Sequence, residues 1–365
     1  MKVLLVITKA EIGGAQTFIL TLARGLKKIG VQVAVAAGEG NYLPQELKKE
    51  GIPFFYLKNL KRSKNPLKIL FYINELKKII NKEGFDAVHF NSTNTLPGIF
   101  SVKLSNFKPK TVFTVHGLSV LDSKYKAVKF IKFIFKIYFK FFLNYINNVV
   151  FVSKYNFEEA VKYGIADKGR VIYNGLEMPA DYFLEKIEAK KSLSHFISKN
   201  LEDVYLIGSV GRLAEQKNYD FLIKLWPEIK KIKLNAKLVI IGDGKERKKY
   251  EKIIKDLKIS EDVFLPGEIN NASKFLKSFD LFALPSIYEG LSVSLIEALF
   301  SGINILASDV GGNSEIIGID NCYKLNDEQD FLDKFRNINK VMTDKSLFLA
   351  DNMVKKYKEI YEWYN

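Results

Sequence analysis

Short, almost uncharged apolar runs recur along this chain, each followed by a glycine or polar turn and then by apolar residues at helical spacing. Lys2 to Thr8 (KVLLVIT) is the first run, and a helical pattern from about Ala15 to Ile29 follows it and stops at Gly30. Val31 to Ala37, Pro53 to Leu57, Ala87 to Asn91, Thr111 to Val115, Val149 to Ser153 and Val171 to Asn174 repeat the strand signal, with a helix from Pro66 to Ile80 carrying its proline in the first turn. Residues 178–203 read as charged and irregular, which places a domain boundary there. Val204 to Val210, Lys237 to Ile241, Val263 to Gly267, Leu281 to Pro285 and Ile303 to Ala307 then restart the alternation, and Leu347 to Trp363 reads as a closing helix. Continuous apolar strands alternating with helices predict an α/β chain with two Rossmann-like, doubly wound parallel sheets.

The chemistry concentrates where strands end. Ser286 to Phe300 (SIYEGLSVSLIEALF) follows a buried strand with a glycine loop and a helix start. Backbone N–H groups of Gly290, Leu291 and Ser292 in such a turn have an anion as their natural partner. Glu289 and Glu297 flank it, and acids beside a phosphate site suit hydroxyl groups further along a ligand. Phosphate with hydroxyls on both sides describes a nucleotide sugar. Gly211-Arg212-Leu213 and Lys217 put two cations on a glycine turn at another strand's carboxyl end, a phosphate clamp by chemistry alone. The plain alternative is that Lys217 is one more surface lysine. Gly13-Gly14 after the first strand does not read G-x-G-x-x-G. Glu39 follows the second strand, so a nicotinamide-dependent oxidoreductase stays open as a weak alternative. His116, followed by Gly117, ends a strand where ligands bind. His89 lies inside a strand and reads as structural or acceptor-facing, and His195 as surface.

The 365 residues suffice for two domains, and with 47% hydrophobic residues each can bury a core. The lone cysteine, Cys322, fits a reducing compartment. Met1 to Ile7 is too short an apolar stretch for a secretory signal, and no run of 18 or more uncharged apolar residues spans a bilayer, so a cytoplasmic location is expected. The net charge of +15 is lopsided. Residues 1–180 hold 28 Lys+Arg against 12 Asp+Glu, and residues 181–365 hold 28 against 29. An anionic surface, membrane or nucleic acid, is therefore expected as partner of the first half. A lysine-rich compositional bias would act on both halves.

Ser123 to Phe157 contains seven lysines and no acid. Lys129, Lys132, Lys136 and Lys140 share one helical stripe among ten bulky apolar residues between Phe130 and Phe142. That apolar arc is too wide for one sheet face to cover. Residues 123–148 are therefore expected to lie on an anionic membrane surface, the chain sitting peripherally on its inner face. The alternative is a packing helix with snorkelling lysines. Nucleic acid is not expected, because a phosphate-tracking surface has no use for so many aliphatics.

Glu289 and Glu297, with seven residues between them after LPSIY, resemble the paired-glutamate motif of retaining glycosyltransferases of the GT-B fold, specifically glycosyltransferase family 4. The likeness spans nearly the whole chain. It implies two Rossmann-like domains facing each other across a cleft, residues 1–177 plus a C-terminal helix (346–365) that crosses back, and residues 178–345 binding the donor. VIYNGLE (171–177) resembles the strand leading into the link. The resemblance further implies that Gly13 and Gly14 face the donor diphosphate and that Arg212 and Lys217 grip it. His116 would contact the donor sugar from the opposite domain, Glu289 would hold sugar hydroxyls and Glu297 ribose hydroxyls. Asp243 in the Gly242-Asp243-Gly244 turn has no implied catalytic role, and Val263 to Gly267 sits where backbone groups hold the base. Retention would proceed without a covalent nucleophile, the acceptor hydroxyl attacking from the leaving-group side and the phosphate taking its proton. Domain closure would exclude water. No two aspartates stand two apart, so no metal or other cofactor is expected, only a UDP- or GDP-linked donor and a lipid-linked saccharide acceptor. A non-catalytic, membrane-associated sensor of nucleotide sugar is the remaining alternative.

Overall fold

β1 (Lys2–Ile7) stands at the centre of a parallel sheet, with β2 on one side and β4 on the other. A computed structural model of the chain describes residues 1–61, 65–118, 120–121, 128–179 and 181–362. In chain order the first unit runs β1, α1 (Gly14–Lys28), β2 (Gln32–Ala37), α2 (Tyr42–Lys49), β3 (Phe54–Tyr56), α3 (Pro66–Glu83), β4 (Ala87–Phe90), α4 (Ile99–Lys103), β5 (Lys110–Val115), α5 (Lys129–Leu143), β6 (Asn148–Phe151), α6 (Lys154–Lys162) and β7 (Arg170–Val171). The second runs α7 (Lys186–Ile197), β8 (Tyr205–Val210), α8 (Tyr219–Lys224), α9 (Trp226–Ile232), β9 (Ala236–Ile241), α10 (Arg247–Asp256), β10 (Val263–Gly267), β11 (Leu281–Leu284), α11 (Val293–Ser301), β12 (Asn304–Ser308), α12 (Asn313–Ile317), β13 (Cys322–Tyr323) and α13 (Glu328–Arg336). α14 (Ala350–Glu362) ends the described chain and belongs to the first unit. The units are Met1–Glu177 with Ser346–Asn365, and Met178–Lys345.

Among the described residues the first sheet has the order β3-β2-β1-β4-β5-β6-β7 and the second β10-β9-β8-β11-β12-β13, every pairing parallel. In both, the order reverses beside the first strand, so the crevices at the carboxyl ends of β1/β4 and β8/β11 are the places where such sheets take ligands. Helices cover both faces, which is why the strands read as unbroken apolar runs. In β1, Val3, Leu5 and Ile7 pack toward Phe18, Leu22 and Leu26 of α1 and Tyr357 of α14. Leu4 and Val6 face the other way, toward Tyr72 and Leu76 of α3 and Phe139 of α5.

α14 docks on α1 at Gly25, where an added Cβ would collide with Val354. The chain end is also stitched back at Leu176, which bridges Leu349 in parallel and exchanges backbone bonds with Phe348 and Ala350. The expected strand to Asn174 is only Arg170–Val171: Ile172 still donates its N–H to the Phe151 carbonyl of β6, and by Leu176 the backbone pairs with this returning segment instead.

Three other expectations shift. The irregular boundary stretch 178–203 contains α7, whose buried stripe is Ala189, Lys190 and Leu193. A lysine in the apolar stripe hid the helix: the Lys190 ammonium donates to the carbonyls of Glu202 and Val204 and lies 3.6 Å from Asp280. His195 is accordingly on a helix, though exposed as expected. The closing helix begins at Ala350 after a 3-10 turn at Lys345–Phe348, and Trp363 lies outside the described residues, as do residues 123–127 of the basic segment.

Candidate active site

The loops leaving β8 and β11 are stapled across the switch point of the second sheet. Ile287 donates its backbone N–H to Gln216 at 2.8 Å, and the Gln216 side chain donates to the carbonyl of Tyr288 at 3.0 Å. That staple brings the Lys217 ammonium within 2.7 Å of Oε1 of Glu289, and the Ser286 hydroxyl donates to the same oxygen at 2.7 Å. Only 15% of the Lys217 and 8% of the Glu289 side chain is exposed, so the pair is little screened by water. Gly311 backs this loop: its φ is +57°, and a Cβ there would collide with the Glu289 carbonyl. Gly312 donates its N–H to the Gly290 carbonyl at 2.9 Å.

Gly290, Leu291 and Ser292 follow directly and lead into α11. Ser292 caps the helix, its hydroxyl accepting from the Leu295 N–H, and no acid occupies the first turn. The helix dipole at this end is therefore left uncompensated by side-chain charge. Glu297, further along α11, is half-buried. Burial pushes its carboxyl up to about 7, opposed by a hydrogen bond from Ser273. Ser273 is itself held at 2.6 Å by the Tyr182 hydroxyl. Arg212 follows β8 with an exposed side chain that makes no ion pair among the described residues. The structure thus brings Lys217, Glu289 and the Gly290 turn together, sets Glu297 on the helix beyond, and leaves Arg212 at the surface. Ser286 and Ser273 were not read from the sequence; serines carry no signal until their partners are known.

In the first unit Gly13 immediately precedes α1 and Gly14 opens it, both at the carboxyl end of β1. The Gly13 carbonyl accepts from Gln16 and Thr17, and Gln16 reaches back to the Lys9 carbonyl at 2.8 Å. Phe18, one turn on, meets the His116 ring edge-on at 4.8 Å between centroids. His116 ends β5 with Nε2 3.3 Å from Oδ1 of Asn91, and burial pulls its pKa down to about 4, so the ring is neutral at physiological pH. His89 is structural: its two ring nitrogens lie 2.7 Å from the Tyr361 and Thr114 hydroxyls, deep in the core. Among the described residues no group of three or more His, Cys, Asp or Glu is arranged to hold a metal ion.

α5 supplies a second candidate surface. Its inner side is Phe139, Phe142 and Leu143. Phe130, Ile134, Ile137 and Phe141 form an outer stripe, Phe130 67% and Ile137 52% exposed, with Ile131 and Phe133 alongside. At ~100° per residue, Lys129, Lys132, Lys136 and Lys140 fall on a strip bordering that face. No helix among the described residues is long and apolar enough to cross a membrane.

Paired parallel sheets, each with its ligand edge at a switch point, define the class of GT-B transferases. A glycosyltransferase from Rickettsia africae shares the fold at a TM-score of 0.79 and 22% identity, over 99% of this chain and 97% of that one. The family model described as Glycosyltransferase Family 4 matches residues 12–178, and that described as Glycosyl transferases group 1 matches residues 190–359. The chain belongs to this GT-B family of group 1 glycosyltransferases, and it is a glycosyltransferase enzyme. It is 27% identical over 354 residues to the UDP-Gal:alpha-D-GlcNAc-diphosphoundecaprenol alpha-1,3-galactosyltransferase of Escherichia coli, covering 91% of this chain and 86% of that protein. It is also 28% identical over 308 residues to the N-acetylgalactosamine-N,N'-diacetylbacillosaminyl-diphospho-undecaprenol 4-alpha-N-acetylgalactosaminyltransferase of Campylobacter jejuni, covering 82% of this chain and 78% of that protein.

Proposed function

We propose that this glycosyltransferase moves a hexose from a UDP- or GDP-linked donor to a lipid-linked saccharide, with retention and without a divalent ion, while seated peripherally on an anionic membrane. The observation that carries the donor half is the Lys217–Glu289 pair at the β8/β11 switch point, a cation and an acid 2.7 Å apart beside a helix start. A diphosphate placed there meets Lys217, Arg212 and the N–H groups of Gly290, Leu291 and Ser292. Glu289, held by Ser286, is then free to accept from sugar hydroxyls and Glu297 accepts from the ribose, while Gly13, Gly14 and His116 lie at the ligand edge of the first unit's own sheet.

In the reaction the bond from the anomeric carbon to the diphosphate oxygen breaks and the bond to the acceptor oxygen forms on the same face. The acceptor's proton passes to the departing phosphate. The chain's part is to neutralise the charge that builds on the diphosphate. Absence of paired aspartates in the sequence supports doing this with side-chain cations. The lipid-linked acceptor is supported by the printed acceptors of the Escherichia coli and Campylobacter jejuni relatives, and the membrane seat by the exposed apolar and lysine stripes of α5.

Thermal unfolding with UDP, GDP and NAD tests the donor class, because a ligand of the native state raises its melting point. UDP or GDP is expected to stabilise the protein; stabilisation by NAD alone would overturn the reading. A panel of labelled nucleotide sugars, run with EDTA, then identifies sugar, anomer and metal requirement.

A further inference from the structure

The short turn between α4 and β5 is built inside out. Its polar groups are used internally: the Ser105 hydroxyl donates to the Val102 carbonyl at 2.7 Å and accepts from the Lys108 N–H at 3.2 Å. The Asn106 N–H donates to Oδ1 of Asn81 on α3 at 2.9 Å. The apolar pair is what faces water, with Leu104 59% and Phe107 58% exposed. One exposed apolar side chain is ordinary, but this pair continues a larger patch. Tyr145, just past α5, joins the turn to that helix. Its ring lies 5.3 Å from that of Phe141 and 6.4 Å from that of Phe100 on α4, and the Lys103 ammonium stands 3.4 Å from its centroid. α4 and α5 pack on the same face of the first sheet.

Charge decides what such a patch meets. From Ala87 to Phe157 the chain holds ten lysines and one acid, Asp122. Phe107 rests against Gly84, and the acids on either side of that glycine are engaged, Glu83 with the Lys2 ammonium at 2.9 Å and Asp86 with the Lys2 N–H at 2.7 Å. Protein interfaces are depleted of lysine at their centres, whereas an apolar tip ringed by lysines suits anionic headgroups over acyl chains. We propose that the α4–β5 turn is a second lipid-inserting element beside α5, with Leu104 and Phe107 entering the acyl layer and Lys103 and Lys108 meeting anionic headgroups. This rests on the membrane reading of α5 and adds to it. A helix lying alone on a bilayer can roll about its axis; a second contact to one side fixes the roll, and with it the attitude of the first unit. The turn's own hydrogen bonds let it enter preformed.

Phe107→Trp, read against the fluorescence of wild type, reports insertion in the whole protein. On vesicles of phosphatidylglycerol and phosphatidylcholine, lipids brominated in the acyl chain should quench the added signal. Tyr56→Trp, on β3 four strands away, should not be quenched. Leu104→Ser with Phe107→Ser should weaken partitioning to these vesicles roughly tenfold with little change in Tm, since both side chains are mainly exposed. An unquenched Phe107→Trp, equal quenching of Tyr56→Trp, or wild-type partitioning of the folded double variant overturns the proposal. If changing the four α5 lysines to Glu abolishes vesicle binding while Phe107→Trp stays unquenched on the native helix, the turn proposal fails and the α5 reading stands. Quenching that persists with those lysines changed supports the turn and refutes α5 as the seat. Dimers that the serine substitutions dissolve, without quenching, assign the patch to a second copy of the chain and overturn the lipid assignment.

Discussion

The Lys217 ammonium and Glu289 carboxylate lie 2.7 Å apart, 72 residues distant in sequence, on loops from two strands that neighbour each other at the switch point. Each is the other's charge partner in the unliganded protein. On the proposed reading, a diphosphate arriving beside Lys217 would share that cation with Glu289 and so loosen the carboxylate toward the sugar.

From this pair, a double-mutant cycle should find Lys217→Met and Glu289→Gln coupled by roughly 0.5–3 kcal/mol in unfolding free energy, the range for residues in direct contact. Activity should fall about 100- to 1,000-fold in either single variant, as when one preorganised stabilising group is removed. Additive stabilities together with full turnover would refute the arrangement.

Glu297 predicts a pH dependence. Its carboxyl titrates near 7 in the folded chain against 4.5 in the ordinary case, because burial disfavours the charge. The folded state therefore binds more protons than the unfolded one between those values, so stability from this residue is present below 4.5 and is lost as pH rises through about 7. Glu297→Gln should flatten that stretch of the stability–pH curve in denaturant titrations. Donor affinity should rise over the same interval in wild type, since ribose hydroxyls are held better by the ionised form.

The α5 surface is tested with vesicles. Replacing Lys129, Lys132, Lys136 and Lys140 with Glu should abolish sedimentation with anionic liposomes, each lysine contributing about 1 kcal/mol near such a surface. Phe130→Ser with Ile137→Ser should weaken binding also to neutral vesicles, by removing the inserted apolar area. Binding that survives both changes would place the membrane contact elsewhere.

The buried bond between His89 and Tyr361 carries a prediction for the fold. Tyr361→Phe removes the hydroxyl 2.7 Å from Nδ1 and leaves that nitrogen unpaired in the core. A cost of about 1–3 kcal/mol follows. Thermal denaturation should show a lowered Tm for the first unit with the second unaffected. An unchanged Tm would mean that this bond adds nothing to the packing at Gly25 and Val354 and the backbone bonds at Leu176 that also hold α14.

Much of this was legible in the residue pattern. Apolar runs buried on both faces announce parallel strands, because helices must cover each side, and a glycine turn after such a run marks a ligand edge wherever it falls. The positions of Gly13, Gly14, His116, Arg212, Lys217, Glu289 and the Gly290 turn at strand ends follow from that pattern, their roles only from the family resemblance; the lysine stripe of α5 follows from helical spacing. Helix α7 was not, because Lys190 occupies its apolar stripe and is satisfied by carbonyls 12 and 14 residues away.

What the order of residues determined, then, is which segments form strands and which loops carry charge, since those follow from local periodicity and turn chemistry. Tertiary structure alone decided who meets whom. The 272-residue span between His89 and Tyr361 and the sharing of Glu289 between Lys217 and Ser286 are set by sheet order and crossover. Hydrogen bonds are short-ranged and directional, so no local pattern encodes them until folding has closed the distance.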